Sequence, residues 1–276
     1  MISDVTIISV SYNSADVFLS SWRNFLENSN RSVVIVDNAS SDGSGQILSR
    51  TFSGHNVVQM DRNVGYGRAA NKGLALCRSR YALLLNPDLT LFEELIDQLL
   101  LVAVADDDAT AIWAPATTSA DCSDSPPVSV DAVCGAAMLF DMEKMKQIGL
   151  FDENIFLYSE ETDLCYRTRA AGFQVKICPR IYIEHAIDGS SGHHHSLTAM
   201  KSYHFGWSRC YYLDKHGLFS AKSNPPKMYR EYKIRSYISL SNVQRLRYKW
   251  QAAGVRAFMD GEKAFMADGR PQMSAF

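Results

Sequence analysis

The chain of 276 residues has no CxxC pair and no regular spacing among its six cysteines, at 77, 122, 134, 165, 178 and 210. That excludes the usual zinc and disulfide frameworks and reads as reduced thiols of a cytoplasmic protein. Long hydrophobic runs are also missing. The most apolar segment, Leu95 to Ala105, is interrupted by Asp97 and Gln98 and falls far short of a membrane span. The opening residues, MISDVTIISVSYNS, contain neither a basic region nor a small-residue cleavage site, so no signal peptide is expected. What is present, 46% hydrophobic and 21% charged residues, suits one large globular domain or one domain with an appendage. Only the ends and the stretch ATTSADCSDSPPVSV, from Ala116 to Val130, look loose in composition.

The net charge of −2 conceals an uneven distribution. Residues 1–165 carry 10 Lys and Arg against 23 Asp and Glu, a net of −13, whereas residues 166–276 carry 18 against 7, a net of +11. Between Lys222 and Lys249 there are eight basic residues and one acidic residue, Glu231, interleaved with Tyr229, Tyr232, Tyr237 and Tyr248. Such a segment suits an anionic surface, either phospholipid headgroups or a phosphorylated partner, and equally a solvated basic helical face. No nucleic-acid partner is expected.

Strand and helix signals alternate along the first half. Short β-rich runs at 5–10, 32–37, 56–60, 81–85 and 109–115 are separated by helical patterns at 15–26, after the Ser/Asp-rich NASSDGSG, at 69–78 and at 91–104. This spacing predicts a mostly parallel sheet wrapped on both faces. After Pro127 the texture changes: a small-residue strand at 132–140, a helix at 160–172 stopped by glycine, two strands near 174–177 and 181–184, and helix from His185 onward.

Three predicted strands end in polar residues: Tyr12 and Asn13, Asp37 and Asn38, and Asn86-Pro87-Asp88. Proline stops a strand, which leaves Asp88 at a carboxyl end, and in parallel sheets such ends share the rim where ligands bind. An aromatic ring, an amide and two carboxylates there suit a nucleotide, with the base against Tyr12, an imide N–H on Asp37 and a metal on Asp88 to neutralise a diphosphate. A competing motif is GYGRAA, Gly65 to Ala70, which fits a dinucleotide fingerprint with Asp88 roughly 20 residues on. An NAD(P)-dependent oxidoreductase is therefore an alternative, although the motif falls in the third strand–helix unit. A non-catalytic nucleotide-sugar-binding module is another.

The segments VTIISVSYNS, VVIVDNASSDGS, RNVGYGRAANKG, YALLLNPDLTL, GAAMLFDMEKMKQIGLFDENIFLYSEETDLCYRTRAAGF and IEHAIDGSSG, taken in this order and spacing, resemble the inverting family 2 glycosyltransferases. The likeness is nearest to their bacterial rhamnosyltransferase branch and covers about residues 4–192. It implies an α/β GT-A fold, a Rossmann-like nucleotide half merged with a mixed-sheet acceptor half, over residues 1–192. A helical, basic C-terminal region over 193–276 would then meet the acceptor or a membrane surface. It also implies a divalent metal, Mg²⁺ or Mn²⁺, a nucleoside-diphosphate sugar with dTDP-rhamnose favoured, and a glycan or lipid-linked glycan acceptor in O-antigen-like synthesis. Such an enzyme would be cytoplasmic, with a peripheral place on the inner face of the membrane.

By the same resemblance, Tyr12, Asn13, Asp37, Arg62 and Asn63 would bind base and ribose, Gly65 and Gly67 would allow close backbone approach, and Asn71 would line the pocket. Asn86-Pro87-Asp88 matches the metal-binding Asp-x-Asp element, and His185, ahead of Gly189 and Ser190, matches a histidine that completes the metal site. Glu160, Glu161 and Asp163 form the catalytic group. The family usually has Glu-Asp here, with the Asp as base; this chain has Glu161 at that position, which leaves the base open between Glu161 and Glu160. Asp163 would bind the acceptor or organise the site. The bland alternative is a charged helix start favoured by the helix dipole.

Overall fold

The computed structural model describes residues 5–106, 109–183 and 195–272. They fall into two compact units. The first holds the chain up to Asn63, Arg68–Phe151 and everything from Glu161 through the last strand; the second holds Val64–Gly67, Asp152–Glu160 and the C-terminal helices.

The first unit is built on eight strands: β1 (Val5–Ser11), β2 (Ser32–Asp37), β3 (Asn56–Gln59), β4 (Tyr81–Leu85), β5 (Thr110–Ala116), β6 (Val128–Ser129), β7 (Ala137–Asp141) and β8 (Gln174–Tyr182). Their order is β3-β2-β1-β4-β7-β5-β8-β6. The pairs β2–β3, β1–β2 and β1–β4 are parallel, so the expected parallel half is present. Strand β7 then runs antiparallel to both β4 and β5, which makes the whole a mixed sheet. β1 and β4 are buried throughout, as expected of strands covered on both faces.

Helices α1 (Ala15–Asn28), α2 (Ser44–Thr51), α3 (Tyr66–Leu74) and α4 (Glu93–Ala105) follow β1, β2, β3 and β4 in turn. The spacing of Phe18, Trp22 and Phe25 puts them on one face of α1, and they share a core with Ile7, Ile35, Leu83 and, from α4, Ile96 and Leu99. Each such fully buried side chain contributes roughly 1.5–3 kcal/mol relative to leaving it in water.

The later elements depart from the sequence pattern in several places, among them β6 inside the stretch expected to be loose and residues 260–272, which follow α9 without helix where helix was expected. The strand expected at 132–140 begins only at Ala137, because Gly135 and Ala136 turn. A helix not anticipated, α5 (Met142–Ile148), follows at once, its first turn capped by the Asp141 carboxylate, which accepts from the backbone N–H groups of Glu143 and Lys144. The two strands expected around Pro179 are one continuous β8. Its ladder with β5 slips between Pro115 and Ala116, where proline supplies no N–H, but the chain stays extended. Helix α6 (Glu160–Ala170) leads into β8 through Gly172, whose φ of 88° no β-carbon-bearing residue adopts easily.

In the second unit, α7 (His195–Lys215), α8 (Pro225–Ile238) and α9 (Asn242–Met259) pack together. Tyr203 and Trp207 of α7 join Phe156 and Ala257 in one apolar cluster, and Met228, Tyr232, Ala252, Val255 and Cys210 form another. Lys215 and the Tyr211 hydroxyl both donate to Asp152, at 2.6 and 3.0 Å. Burial opposes ionisation of that carboxyl, yet the Lys215 and backbone donors override it and hold the pKa down to about 2.

Candidate active site

The strand order reverses at β1: β2 and β3 lie on one side of it, β4 on the other. In such sheets the crevice for ligands opens outside the carboxyl ends of the strands at the reversal. The register brings those ends level, with Ser11 opposite Asp37 and Ser9 opposite Leu85. Tyr12 and Asn13, Asp37 and Asn38, and Asn86 therefore meet along one rim, as the sequence pattern requires.

The rim is a connected hydrogen-bond mesh. Ser40 donates its hydroxyl to one Asp37 oxygen at 2.5 Å and its N–H to the other at 3.1 Å. Asn13 donates its N–H to the Ser40 hydroxyl at 2.8 Å and accepts from the Ser41 N–H at 2.9 Å. Asn38 reaches Asn63 at 3.0 Å. Asp37 is buried, so its carboxylate first serves to shape the loop after β2; Tyr12 and Asn63 are half-buried and Arg62 is exposed. Ser40, Ser41 and the pairing role of Asn38 are not among the expected contacts, although three hydroxyl- or amide-bearing residues just after a strand are the mark of a side-chain-stitched turn.

Two predicted contacts turn inward. Asn71 spends its amide on the backbone of Phe151, donating to the carbonyl at 2.9 Å and accepting from the N–H at 3.0 Å. Gly65 does allow a close backbone approach, but the group that a β-carbon there would strike is the Phe156 carbonyl, which also accepts from the Tyr66 N–H at 3.0 Å. The glycine that would make GYGRAA a dinucleotide fingerprint is thus used against the protein's own chain. Gly67 is buried.

On the other side of the rim, β4 ends and the Asn86 N–H donates to the Ala136 carbonyl at 2.8 Å. The adjacent residue, Gly135, faces Glu161: a β-carbon built on it would sit 3.4 Å from Glu161 Cβ and 3.5 Å from Cγ. The antiparallel entry into β7 thereby ties the turn that carries Asn86-Pro87-Asp88 to the loop against which Glu161 rests. Asp88 is buried and Asn86 half-buried. Thr162 donates its hydroxyl to Glu161 at 3.1 Å. Desolvation nonetheless raises the Glu161 pKa, while its backbone and Thr162 hydrogen bonds pull the other way.

Glu160 and Asp163 differ from Glu161 in exposure. Both are buried, Asp163 completely, whereas Glu161 keeps contact with solvent. Adjacent helical residues point about 100° apart, which is how Glu160 and Glu161 separate. Asp163 accepts from Arg167 at 2.8 Å, and that guanidinium donates onward to the carbonyls of Ile148 and Leu150. In this arrangement Asp163 organises the chain before Phe151.

Among the described residues, four that are not glycine have positive φ: Asn13 and Ala39 after β1 and β2, and Tyr158 and Ser159 immediately before α6. Each costs on the order of 1–3 kcal/mol, and such residues cluster where function fixes the chain. Ser208 supports the last pair by donating to the Leu157 carbonyl at 2.9 Å.

Among the described residues no three His, Cys, Asp or Glu gather to hold a metal. His185, with Gly189 and Ser190, lies outside the described residues, as do the first residues of GHHH. The donors at the turn after β4, the Asp88 carboxylate and the Asn86 amide oxygen, are hard oxygens. They fit Mg²⁺ or Mn²⁺, cations often held by one or two carboxylates with substrate phosphates completing the shell.

A mixed sheet reversing at β1, with a polar rim at the carboxyl ends of its parallel strands and helices packed on it, is an α/β fold of GT-A-like architecture. The family described as "Glycosyl transferase family 2" matches residues 6–159, more than half of the chain. The chain belongs to that family, and it is a glycosyltransferase. Solved structures agree on the fold. A mannosyltransferase from Pyrobaculum calidifontis, PcManGT in complex with GDP-Man and Mn²⁺, is 16% identical with a TM-score of 0.61, covering 98% of this chain and 78% of that one. TarS 1–349 of S. aureus is 13% identical with a TM-score of 0.53, over 94% and 92%. GalNAc-T7 with UDP, GalNAc and Mn²⁺ is 13% identical with a TM-score of 0.54, over 94% and 56%. No curated protein matches the sequence.

Proposed function

We propose that this chain is a metal-dependent inverting glycosyltransferase that moves a hexose, with rhamnose from dTDP-rhamnose the favoured donor, onto a glycan of a bacterial surface polysaccharide such as O-antigen. The acceptor is a glycan or a lipid-linked glycan. The observation that carries the reading is the link from Asn86 through Ala136 and Gly135 to Glu161, which brings a carboxylate of raised pKa to the strand end bearing Asp88.

The chemistry requires two separated tasks. The nucleotide binds the rim, with the base beside Tyr12 and Asn13 and the Asp37 loop, and with Arg62 and Asn63 toward the ribose. Asp88, with Asn86 in support and His185 as a further ligand, would hold the cation, which would supply charge neutralisation of the diphosphate leaving group. Glu161 accepts the proton of the acceptor hydroxyl. The acceptor oxygen forms its bond to the anomeric carbon as the bond from that carbon to the diphosphate oxygen breaks, and the electron pair leaves with the nucleoside diphosphate. Attack opposite the departing group inverts the anomeric centre. A base must be ionised at working pH and still hold a proton well, and a desolvated glutamate meets both demands better than a solvated one. Glu160, buried, is the second candidate for that role.

Three findings on other proteins support the donor class: GDP-Man with Mn²⁺ on PcManGT, UDP on TarS, and UDP with Mn²⁺ on GalNAc-T7. The test is calorimetric titration with dTDP, UDP, GDP and NAD, each with and without Mn²⁺, on the wild type and Asp88→Ala. Metal-dependent binding of a nucleoside diphosphate that Asp88→Ala abolishes is expected, with dTDP tightest. Metal-independent NAD binding that survives the substitution would overturn the reading in favour of an oxidoreductase, and tight nucleotide-sugar binding without donor turnover would leave only a binding module.

A further inference from the structure

The end of the α8–α9 hairpin is unlike the rest of its unit. Asn224 caps α8 by accepting from the Lys227 N–H, and Pro225 and Pro226 fill the first turn, so α8 is firmly started. It packs through Met228 and Tyr232 against Ala252 and Val255 of α9. Beyond those contacts the core stops: no residue between Tyr232 and Ala252 is buried. At 1.5 Å per residue, Ile238 lies about 9 Å past Tyr232 along the helix, and Ser239, Leu240 and Ser241 turn the chain back into α9.

This extension ends in apolar side chains. Leu240 at the turn is 96% exposed, Tyr237 71%, Ile238 69%, and Ile234 and Val243 are exposed by half. Around them stand Arg230, Lys233, Arg235, Arg245, Arg247 and Lys249, against a single acid, Glu231, already paired with Arg235 at 2.7 Å. Lys233 lies over the Tyr237 ring, 5.6 Å from its centre. Five large apolar residues in water at one turn need a reason, because natural surfaces scatter them singly.

The charge decides what covers them. A second copy would bring two cationic tips together, each with six positive residues and one neutralised acid, so self-association is opposed by like charge. An apolar apex flanked on both helices by Lys and Arg matches the boundary of an anionic bilayer, where apolar side chains enter the acyl region and the cations stay with the headgroup phosphates.

We propose that the α8–α9 tip, Ile234 to Arg247, is a membrane anchor that inserts Tyr237, Ile238, Leu240 and Val243 into an anionic phospholipid surface. It acts as a monotopic contact. No described helix is long and apolar enough to cross a membrane. The proposal stands on the hairpin alone and holds whatever the donor sugar is.

The test is sedimentation of the full chain with vesicles of phosphatidylcholine and of phosphatidylcholine with phosphatidylglycerol. Pelleting is expected only with the anionic vesicles, weakening as salt rises. The double variant Ile238→Glu, Leu240→Glu should lose at least about tenfold in partitioning, and so should Arg245→Glu, Arg247→Glu, with melting temperatures and turnover of a water-soluble acceptor unchanged. Leu240→Trp should shift its emission to the blue on anionic vesicles. Absence of binding to anionic vesicles, binding that both double variants retain, an unshifted Leu240→Trp, or a dimer in solution that Leu240→Glu dissolves would each overturn the assignment.

Discussion

Replacing Glu161 by glutamine removes a proton acceptor and little else. The two side chains are nearly isosteric, so the packing against Gly135 and the hydrogen bond from Thr162 have counterparts in the variant. A positioned general base contributes about 10²–10⁴ in rate, which at 1.36 kcal/mol per tenfold is about 3–5.5 kcal/mol of barrier. Release of nucleoside diphosphate in the presence of acceptor should therefore fall in kcat by that factor, while calorimetric affinity for the donor nucleotide stays put. The pH profile gives a second readout. Burial raises the Glu161 pKa, and the base works ionised, so wild-type kcat/KM should climb with pH along a limb lying above the ordinary glutamate value of about 4.3. Glu161→Gln should erase that limb. It should also melt higher than wild type at neutral pH, since a carboxyl whose folded pKa is raised contributes stability below its unfolded pKa and loses it as pH rises. A fall in kcat of less than tenfold, or a larger loss from Glu160→Gln than from Glu161→Gln, would refute the assignment.

Gly135→Ala places a β-carbon at ordinary contact distance from Glu161 and should leave kcat within about threefold, whereas Gly135→Val should push the carboxylate aside and cost about 10²-fold, the usual penalty for a misplacement near 1 Å. Arg167→Ala strips the guanidinium from a fully buried Asp163 and from two backbone carbonyls; urea unfolding should show a loss of about 3–5 kcal/mol. Buried His204, packed on Phe156 with its Nε2 3.1 Å from the Gln272 carbonyl, has its pKa pushed down to about 4 by burial. Because the unfolded chain takes up that proton near pH 6.5 and the folded one does not, stability should be intact above pH 6.5 and decline by up to about 3 kcal/mol toward pH 4. His204→Phe should flatten that part of the melting-temperature profile.

The parallel half was legible because its determinants are local. Runs such as SVVIVD, from Ser32 to Asp37, and YALLL, from Tyr81 to Leu85, are too apolar for anything but doubly covered strands, and the polar residues that end them fall on one rim by topology alone. Strand direction was not legible. Nothing in AMLFD distinguishes an antiparallel β7 from a parallel one; the difference lies in its partners β4 and β5. The partners of single residues were hidden for the same reason. Asn71, expected to line the pocket, clamps Phe151, and Asp163, expected to bind the acceptor or organise the site, holds Arg167, because an amide or carboxylate in a motif does not say which backbone will come within reach. The resemblance conveyed the family and the fold; the pairing of Gly135 with Glu161 came only from the folded chain.

The insertion of β7 between β4 and β5 also bears on how the chain is made. β4 pairs with β1 on one side and waits for β7 on the other, while β5, which comes earlier in the chain, pairs with β7 and β8 instead. During synthesis the apolar edge of Tyr81–Leu85 is therefore complete about 50 residues before Ala137–Asp141 emerge, an interval on the order of 3–10 s at ribosomal speed. For that time the nascent protein carries an uncovered, fully hydrophobic strand edge, the kind that recruits foreign strands. Truncations that stop before Asp141 should therefore aggregate, and full-length yield should depend on chaperone supply more than the finished enzyme's stability would suggest.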